Sequence, residues 1–553
     1  MLKITWDLTP AEVSVLCTLL LTPGTAISQL ILHTELPFGT AARLGSAINC
    51  AGTIHTISLG YRYESYNSPV PELLRTLNLV ASPVLEQLDP HIIIKSDKRI
   101  LCDSLEEFTS IRSLTISGYC DCGHPIPWLM SRIGRLRALE SLRITNVYIR
   151  GSDAEALAAT LKDLATVVEL GICSCGLGEK AGRPIGSLVA LGRVKKLVLE
   201  RSCFKDEEVS AMVNEILSPS GVHSCELQQL SLETNNIGPT GGTKLVELVA
   251  HSPHLRVLKL RIGSVGEIAA AALFKAIRLR SHSLEELDVT GCELDPRGAL
   301  LDELRAFPAL KVLRIGQSSE GDLGTHALVQ LLLSYGGCRL VELQIQCINI
   351  TETGALVLAG ALAKAYALRI ICMNGSPFGP RGAAAIFDAL SEASTMPMDA
   401  IDFSNCGVGD DGASAAGRLI LCRGCRHVYF CGNKVSSTGA KAIMDSAAIS
   451  PGCMINFLDL SDNPIGDEGV GYIMDKLVRS RRRLVHKLGI ENTKMGVRAA
   501  MAIKLAVETY GFPYWICVTR HNGDMEADNI LEGVEKWERD SKPSRTAILQ
   551  LSG

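Results

Sequence analysis

Residues 403–417, "FSNCGVGDDGASAAG", decide the fold. They hold Gly407, Gly409 and Gly412, a literal G-x-G-x-x-G, after a strand-like Ala400-Ile401-Asp402-Phe403 and before a helix-like run. A dinucleotide-binding loop would sit in that context. Two neighbouring features argue otherwise. Strands of a doubly wound sheet are covered on both faces and read as continuous apolar runs. Here Ile401-Asp402-Phe403-Ser404 and Leu458-Asp459-Leu460-Ser461 alternate, so one face is wet. A nucleotide fold also places an acidic residue at the end of the next strand, whereas that strand ends Phe430-Cys431-Gly432-Asn433.

The glycines belong to a repeat instead. Strand-like segments align on L-x-x-L-x-L-x-x-[N/C/S/T]-x-[L/I/V], seen in Leu227-Leu230-Leu232-Asn235-Ile237 and Ile455-Leu458-Leu460-Asn463-Ile465. First positions fall at Ile27, Ile54, Leu74, Ile111, Leu139, Val167, Val194 and Leu227, and continue to Val485. From Leu227 the steps are 28, 29, 26, 30, 28, 30, 27, 30 and 30 residues. A period of that length marks a solenoid, in which no unit buries its own apolar stripe and neighbours must stack. Counted from Met398, Cys406 is position 9 and Gly412 is position 15. Glycine recurs at position 15 in Gly241, Gly298, Gly324, Gly354, Gly382, Gly439 and Gly469. A residue without Cβ there lets a helix start approach its neighbour.

This pattern resembles leucine-rich repeats of the ribonuclease-inhibitor type over roughly residues 20–510. The resemblance implies an α/β solenoid, a horseshoe with parallel strands on the concave face and helices on the convex face. It also implies that Asn at position 9 hydrogen-bonds the tight turn as a ladder between repeats. Cys175, Cys292 and Cys406 stand there beside Asn235, Asn433 and Asn463, so these cysteines are core residues first.

The array divides as 1–26, a capping helix or first repeat; 27–510, repeats; 511–540, a C-terminal cap; and 541–553, a disordered tail. Thr9-Pro10-Ala11-Glu12 is a capping box with Pro at N1, so Val13–Leu21 reads as a helix rather than a signal peptide. Uneven steps and Pro69, Pro71, Pro83, Pro90, Pro125 and Pro127 make 60–135 irregular, with a further strand possible at Ile92-Ile93-Ile94. Near the end, Phe512–Thr519 reads as a last strand. Ile530, Leu531, Val534 and Trp537 share one helical face, which either covers the terminal repeat or binds a partner.

The 553 residues carry a net charge of −4, with 47 % apolar and 5 % aromatic residues. No overall field favours nucleic acid or an acidic membrane. No apolar run reaches the ~20 residues of a membrane span. The 19 cysteines are irregularly spaced in a long chain, which points to free thiols in a reducing compartment and a cytoplasmic location. Phosphate-loop, serine-hydrolase and zinc-protease motifs are missing, and no enzyme activity or cofactor is expected. Cys120-x-Cys122-x-His124 and Cys422-x-x-Cys425 with His427 and Cys431 lack a second matching pair, and Cys425 belongs to the core, so no metal site is expected. The basic run Arg479–Arg483, with His486 and Lys487, sits where a helix ends and cations suit its dipole.

Positions 3, 5 and 7 of each strand face the open side. There, Glu233 lies beside Arg261, and Lys259, Asp288 and Arg314 succeed one another, so opposite charges can pair. The C-terminal strands differ: His427, Tyr429 and Phe457, flanked by Asp402, Asp459 and Glu491, combine aromatics and acids as a protein hot spot would. The expectation is a non-catalytic scaffold holding a protein partner on its concave face. Two alternatives stay open. One is a small-GTPase regulator, since Ran GTPase-activating proteins use similar repeats, although the mixed tail (Glu532, Glu535, Lys536, Glu538, Arg539, Lys542, Arg545) is not their acidic one. The other is a fixed subunit of a cytoskeletal, axonemal or organellar assembly.

Overall fold

A computed structural model describes residues 2–4, 8–22, 27–32, 40–51, 54, 56–59, 87–90, 111–117, 130, 133–147, 149, 151–177, 180–218, 225–261, 265–280, 282–291, 307–316, 321–333, 339–347, 349–450, 454–480, 484–510, 515–519, 526–532, 534 and 549–552. Ile92–Ile94, Cys120, Cys122, His124, Cys292, Trp537 and Arg481–Arg483 lie outside them, as does the tail after Val534 apart from 549–552. The chain forms two compact units, Met1–Ala276 and Ile277–Gly553.

The first unit contains strands β1 (Leu2–Ile4), β2 (Gln29–Leu32), β3 (Thr56–Leu59), β4 (Gln87–Pro90), β5 (Ser113–Ser117), β6 (Ser141–Thr145), β7 (Glu169–Cys173), β8 (Lys196–Glu200), β9 (Gln229–Ser231) and β10 (Val257–Lys259). Each pairs in parallel with the next in chain order. The second unit contains β11 (Glu286–Asp288), β12 (Val312–Gly316), β13 (Glu342–Gln346), β14 (Ile370–Cys372), β15 (Met398–Asp402), β16 (Cys425–Tyr429), β17 (Ile455–Asp459), β18 (Val485–Gly489), β19 (Trp515–Thr519) and β20 (Leu549–Ser552), again parallel and consecutive. Helices follow most strands, as in Gly379–Ala393, Gly409–Arg423, Ser437–Ile449 and Gly466–Arg479. This is the architecture of an α/β leucine-rich-repeat solenoid.

Pattern positions 4 and 6 are the core. Ile401, Phe403, Val428, Phe430, Leu458 and Leu460 are buried, while the intervening Asp402, Tyr429 and Asp459 are half-exposed. Phe387 bridges two layers, with ring centroids 4.5 Å from Phe403 and 5.7 Å from Phe430.

Three devices fasten repeat to repeat. The first is the ladder at position 9. Asn433 Oδ1 accepts from the backbone N–H of Cys406 at 2.9 Å and of Val408 at 3.2 Å, and its Nδ2 donates to Phe403 O at 2.7 Å. Where cysteine replaces it the thiol donates instead, Cys406 to Met373 O at 3.1 Å and Cys175 to Ile144 O at 3.3 Å. Burial pushes both thiols up to about 12, so they stay uncharged. The second device is an aspartate at position 13. Asp410 accepts from Ser436 N at 2.8 Å and Gly439 N at 3.1 Å, capping the next helix; Asp206, Asp322 and Asp467 do the same for Gly238, Thr351 and Gly496. The third is glycine at position 15. A Cβ on Gly354 would lie 2.2 Å from Asp322 Oδ1, and one on Gly439 would lie 2.6 Å from Asp410 Oδ1. The first glycine of the G-x-G-x-x-G has its own reason too, because Gly407 turns through φ +70° between two ladder donors.

The capping box is formed: Glu12 N donates to Thr9 Oγ1 at 3.3 Å and Thr9 N to Glu12 Oε2 at 2.8 Å. Two expectations need correction. Leu74, expected as a first pattern position, lies outside the described residues, and the strand between β3 and β5 is β4. Leu88 of β4 faces Ile57 and Leu114, which makes Leu85 the first position and replaces steps of 20 and 37 by 31 and 26. Pro83 and Pro90 hid this strand; Pro90 lies past the β4–β5 pairing, which ends at Leu88, so its side toward β5 needs no ladder donor. The segment 541–553 is not wholly unstructured either. Leu549 and Leu551 alternate with polar residues, and β20 pairs with the otherwise open edge of β19, Leu549 facing Ile516.

Candidate functional site

The sheet face turned away from the helices carries two clusters in the second unit. Register builds the first. At position 3, Ala400, His427, Phe457, Lys487 and Trp515 are successive neighbours, and at position 5 Cys372, Asp402, Tyr429, Asp459 and Gly489 are. All six residues singled out in the sequence fall on these strands or the turn after β18. His427 and Tyr429 stack with centroids 6.3 Å apart and planes within 9°, while Tyr429 meets Phe457 edge-on at 5.4 Å. Lys487 Nζ sits 4.8 Å from the Phe457 ring centre, a cation–π contact. The rings are half-buried rather than freely exposed, because they cover one another.

Tyr429 has a carboxylate on each side in its own row. Asp402 Oδ1 accepts from Ser404 N at 3.0 Å and Asp459 Oδ1 from Ser461 N at 3.1 Å. Burial first, then the charge of Asp459, outweighs that bond and raises the Asp402 pKa. Burial and both aspartates raise that of the Tyr429 hydroxyl. Gly489 leaves room for Asp459 to lean across: a Cβ there would lie 2.6 Å from Asp459 Oδ1. Glu491 is half-buried two residues on, its N–H donating to Ser461 Oγ at 3.2 Å.

The second cluster centres on Arg314. It lies 3.7 Å from Asp288, the expected pairing, but its shorter contacts are to Glu286 at 2.5 Å and Glu342 at 2.6 Å. Burial opposes its charge; the bonds to Glu342 and Glu286 outweigh that and raise its pKa. These two glutamates occupy position 3 of their strands, and a long arginine reaches them diagonally, which a search along single rows overlooks. Lys259 belongs to the first unit and Asp288 to the second. In the first unit Glu233 and Arg261 lie on adjacent turns, Thr234 N donating to Arg261 O at 2.5 Å.

The thiols of the C-x-x-C separate by environment: Cys425 is buried and Cys422 exposed. Among the described residues no group of three metal-binding side chains converges, and no helix is long and apolar enough to cross a membrane.

The Leucine Rich repeat family model matches residues 280–301 and 453–474. A mouse (Mus musculus) ribonuclease inhibitor is 26 % identical over 337 residues, 60 % of this chain and 72 % of that protein. A pig (Sus scrofa) ribonuclease inhibitor is 25 % identical over 288 residues, 51 % and 62 % respectively. Among solved structures, an internalin from Listeria monocytogenes covers 81 % of this chain and 87 % of its own at 14 % identity and a TM-score of 0.33. The repeat pattern, the parallel strands, the matched repeat model and the two inhibitors together make the chain a leucine-rich-repeat protein of the ribonuclease-inhibitor-like type.

Proposed function

We propose that the chain is a non-catalytic protein-binding module that holds a partner against the helix-free sheet face of its second unit. The contact centres on His427, Tyr429 and Phe457, and the partner presents a basic side chain. One observation carries this reading: Asp402 and Asp459 flank a half-buried tyrosine while accepting backbone N–H groups two residues on, whereas the acids around Arg314 share a guanidinium. A lysine or arginine laid on Tyr429 would meet two carboxylates and an aromatic face at once. The site is preorganised by the sheet, so little backbone ordering opposes binding.

The test is affinity purification from native cells with wild type, Tyr429→Ala/Phe457→Ala and Asp402→Asn/Asp459→Asn. Loss of the same basic protein from both variants is the expected result; an unchanged set of associated proteins rejects the patch. The names of the two inhibitors make a ribonuclease the first purified protein to try.

A further inference from the structure

A second surface lies at the edge of the second unit where helices end and strands begin. A cavity of about 530 Å³ opens there across three consecutive repeats. Its size is within the range of ligand sites. The described residues lining it include Arg423 and Arg426, the polar Thr395, Ser450 and Asn456, and the apolar Pro397, Met398, Leu421 and Met454, with no carboxylate among them. Large apolar side chains crowd the same edge: Met454 is 48 % exposed, Met396, beside Pro397, 55 %, and Ile449, beside Ser450, 69 %. Single exposed apolar residues are ordinary, but here Met454 is in the lining and Met396 and Ile449 directly adjoin lining residues in sequence, which marks the edge as an interaction site.

Arginines lie beneath this rim. Arg423 is only 4 % exposed, and its guanidinium donates to three backbone carbonyls, Met396 O at 2.7 Å, Leu390 O at 3.0 Å and Leu368 O at 2.9 Å. Nearby, Asp399 is shared by Arg369 at 2.9 Å and Arg426 at 2.7 Å. Three arginines thus stand at this edge, Arg369 and Arg426 sharing one carboxylate and Arg423 bonded to backbone carbonyls. Three helices end at this edge, Gly379–Ala393, Gly409–Arg423 and Ser437–Ile449. Their termini contribute about half a negative charge each, and Arg423 already bonds the last turn of the first through Leu390 O. Arg426 is the exposed member, its side chain 57 % accessible beside Asp399.

We propose that this cavity docks a partner peptide in which an aspartate or glutamate stands next to a large apolar residue. The carboxylate meets the Arg426 guanidinium, and the apolar neighbour fills the space between Leu421, Met398 and Met454. Arginine clusters recognise acidic motifs in this way, and a planar guanidinium can bind a carboxylate through two parallel hydrogen bonds. The site is independent of the aromatic patch on the sheet face, so the chain has two surfaces of opposite charge preference.

The experiment pans a phage-displayed random decapeptide library on the purified full chain, then measures synthetic copies of the winners by fluorescence anisotropy. The expected winners carry Asp or Glu beside Leu, Ile, Met or Phe. Their affinity falls at least tenfold with Arg426→Gln and with Met454→Ser/Ile449→Ser, and is unchanged by Tyr429→Ala/Phe457→Ala. All three variants alter side chains that are at least partly exposed, and unchanged circular dichroism melts show that folding is intact. The proposal is overturned if no sequence is enriched, if winners lack an acid, if Arg426→Gln binds them as wild type does, or if the aromatic double variant loses them.

Discussion

The amide oxygen of Asn463 accepts the backbone N–H of Asn433 at 2.9 Å, so one ladder residue holds the next in place. Asn433 in turn satisfies the turn of Cys406 and Val408. Asn433→Ala leaves these buried donors and Phe403 O without partners, at a cost of about 2–4 kcal/mol. Cys406→Ser is tolerated within about 1 kcal/mol, because Ser202 at the same position already donates to Ile172 O at 2.8 Å. Urea unfolding of the two variants checks the contrast; equal costs would remove the ladder from the account.

Arg314 holds three carboxylates together. Arg314→Met therefore destabilises by about 3 kcal/mol at neutral pH, since removing one partner of a half-buried cluster leaves like charges facing one another. The loss shrinks in acid, where protonated carboxyls no longer need a cation. A variant whose deficit stays constant from pH 7 to pH 4 would contradict the electrostatic origin.

Asp402 titrates above its ordinary range, raised by burial and by Asp459. The folded state then binds its proton more tightly than the unfolded chain does. Stability consequently falls as pH rises from the unfolded carboxylate range through the raised folded value, and the penalty is full above it. Asp402→Asn, which keeps the acceptor for Ser404 N, should melt higher than wild type at pH 7 and equal to it in acid below the unfolded value. The same variant should bind a basic partner more weakly. Thermal melts at both pH values test the first statement and a binding titration the second.

Gly354 occupies space that the Asp322 carboxylate crowds, 2.2 Å from where a Cβ would be. Gly354→Ala is expected to destabilise by about 1–3 kcal/mol through overpacking. Much of that cost should vanish in an Asp322→Ala background, although Asp322→Ala alone also loses the bond to Thr351 N at 2.8 Å. A double-mutant cycle with no coupling would show that the two residues do not share that space.

Much of this architecture was legible because apolar spacing repeats. Met398 faces Cys425 and Ile455 faces Val485 in the sheet, and all four are first positions of the sequence pattern. The aromatic corner was legible for the same reason: register alone brings Phe457 beside His427. Leu85 was missed because prolines interrupt the run on either side of it. The Arg314 contacts were missed because long side chains cross rows, and the arginine-lined edge cavity because its walls come from helix ends, which the strand pattern does not index. The mutual covering of the three rings was also invisible, since it depends on rotamers rather than spacing.

The two polar fasteners point in opposite directions along the chain. Each ladder asparagine reaches back to the turn before it, and each position-13 aspartate reaches forward to the helix after it. Shortening such a protein is therefore asymmetric. Trimming from the front strips a helix of its borrowed cap; trimming from the rear strips a turn of its borrowed acceptor. A minimal fragment cut for crystallography or display should begin just before an aspartate-bearing repeat and finish just after an asparagine-bearing one.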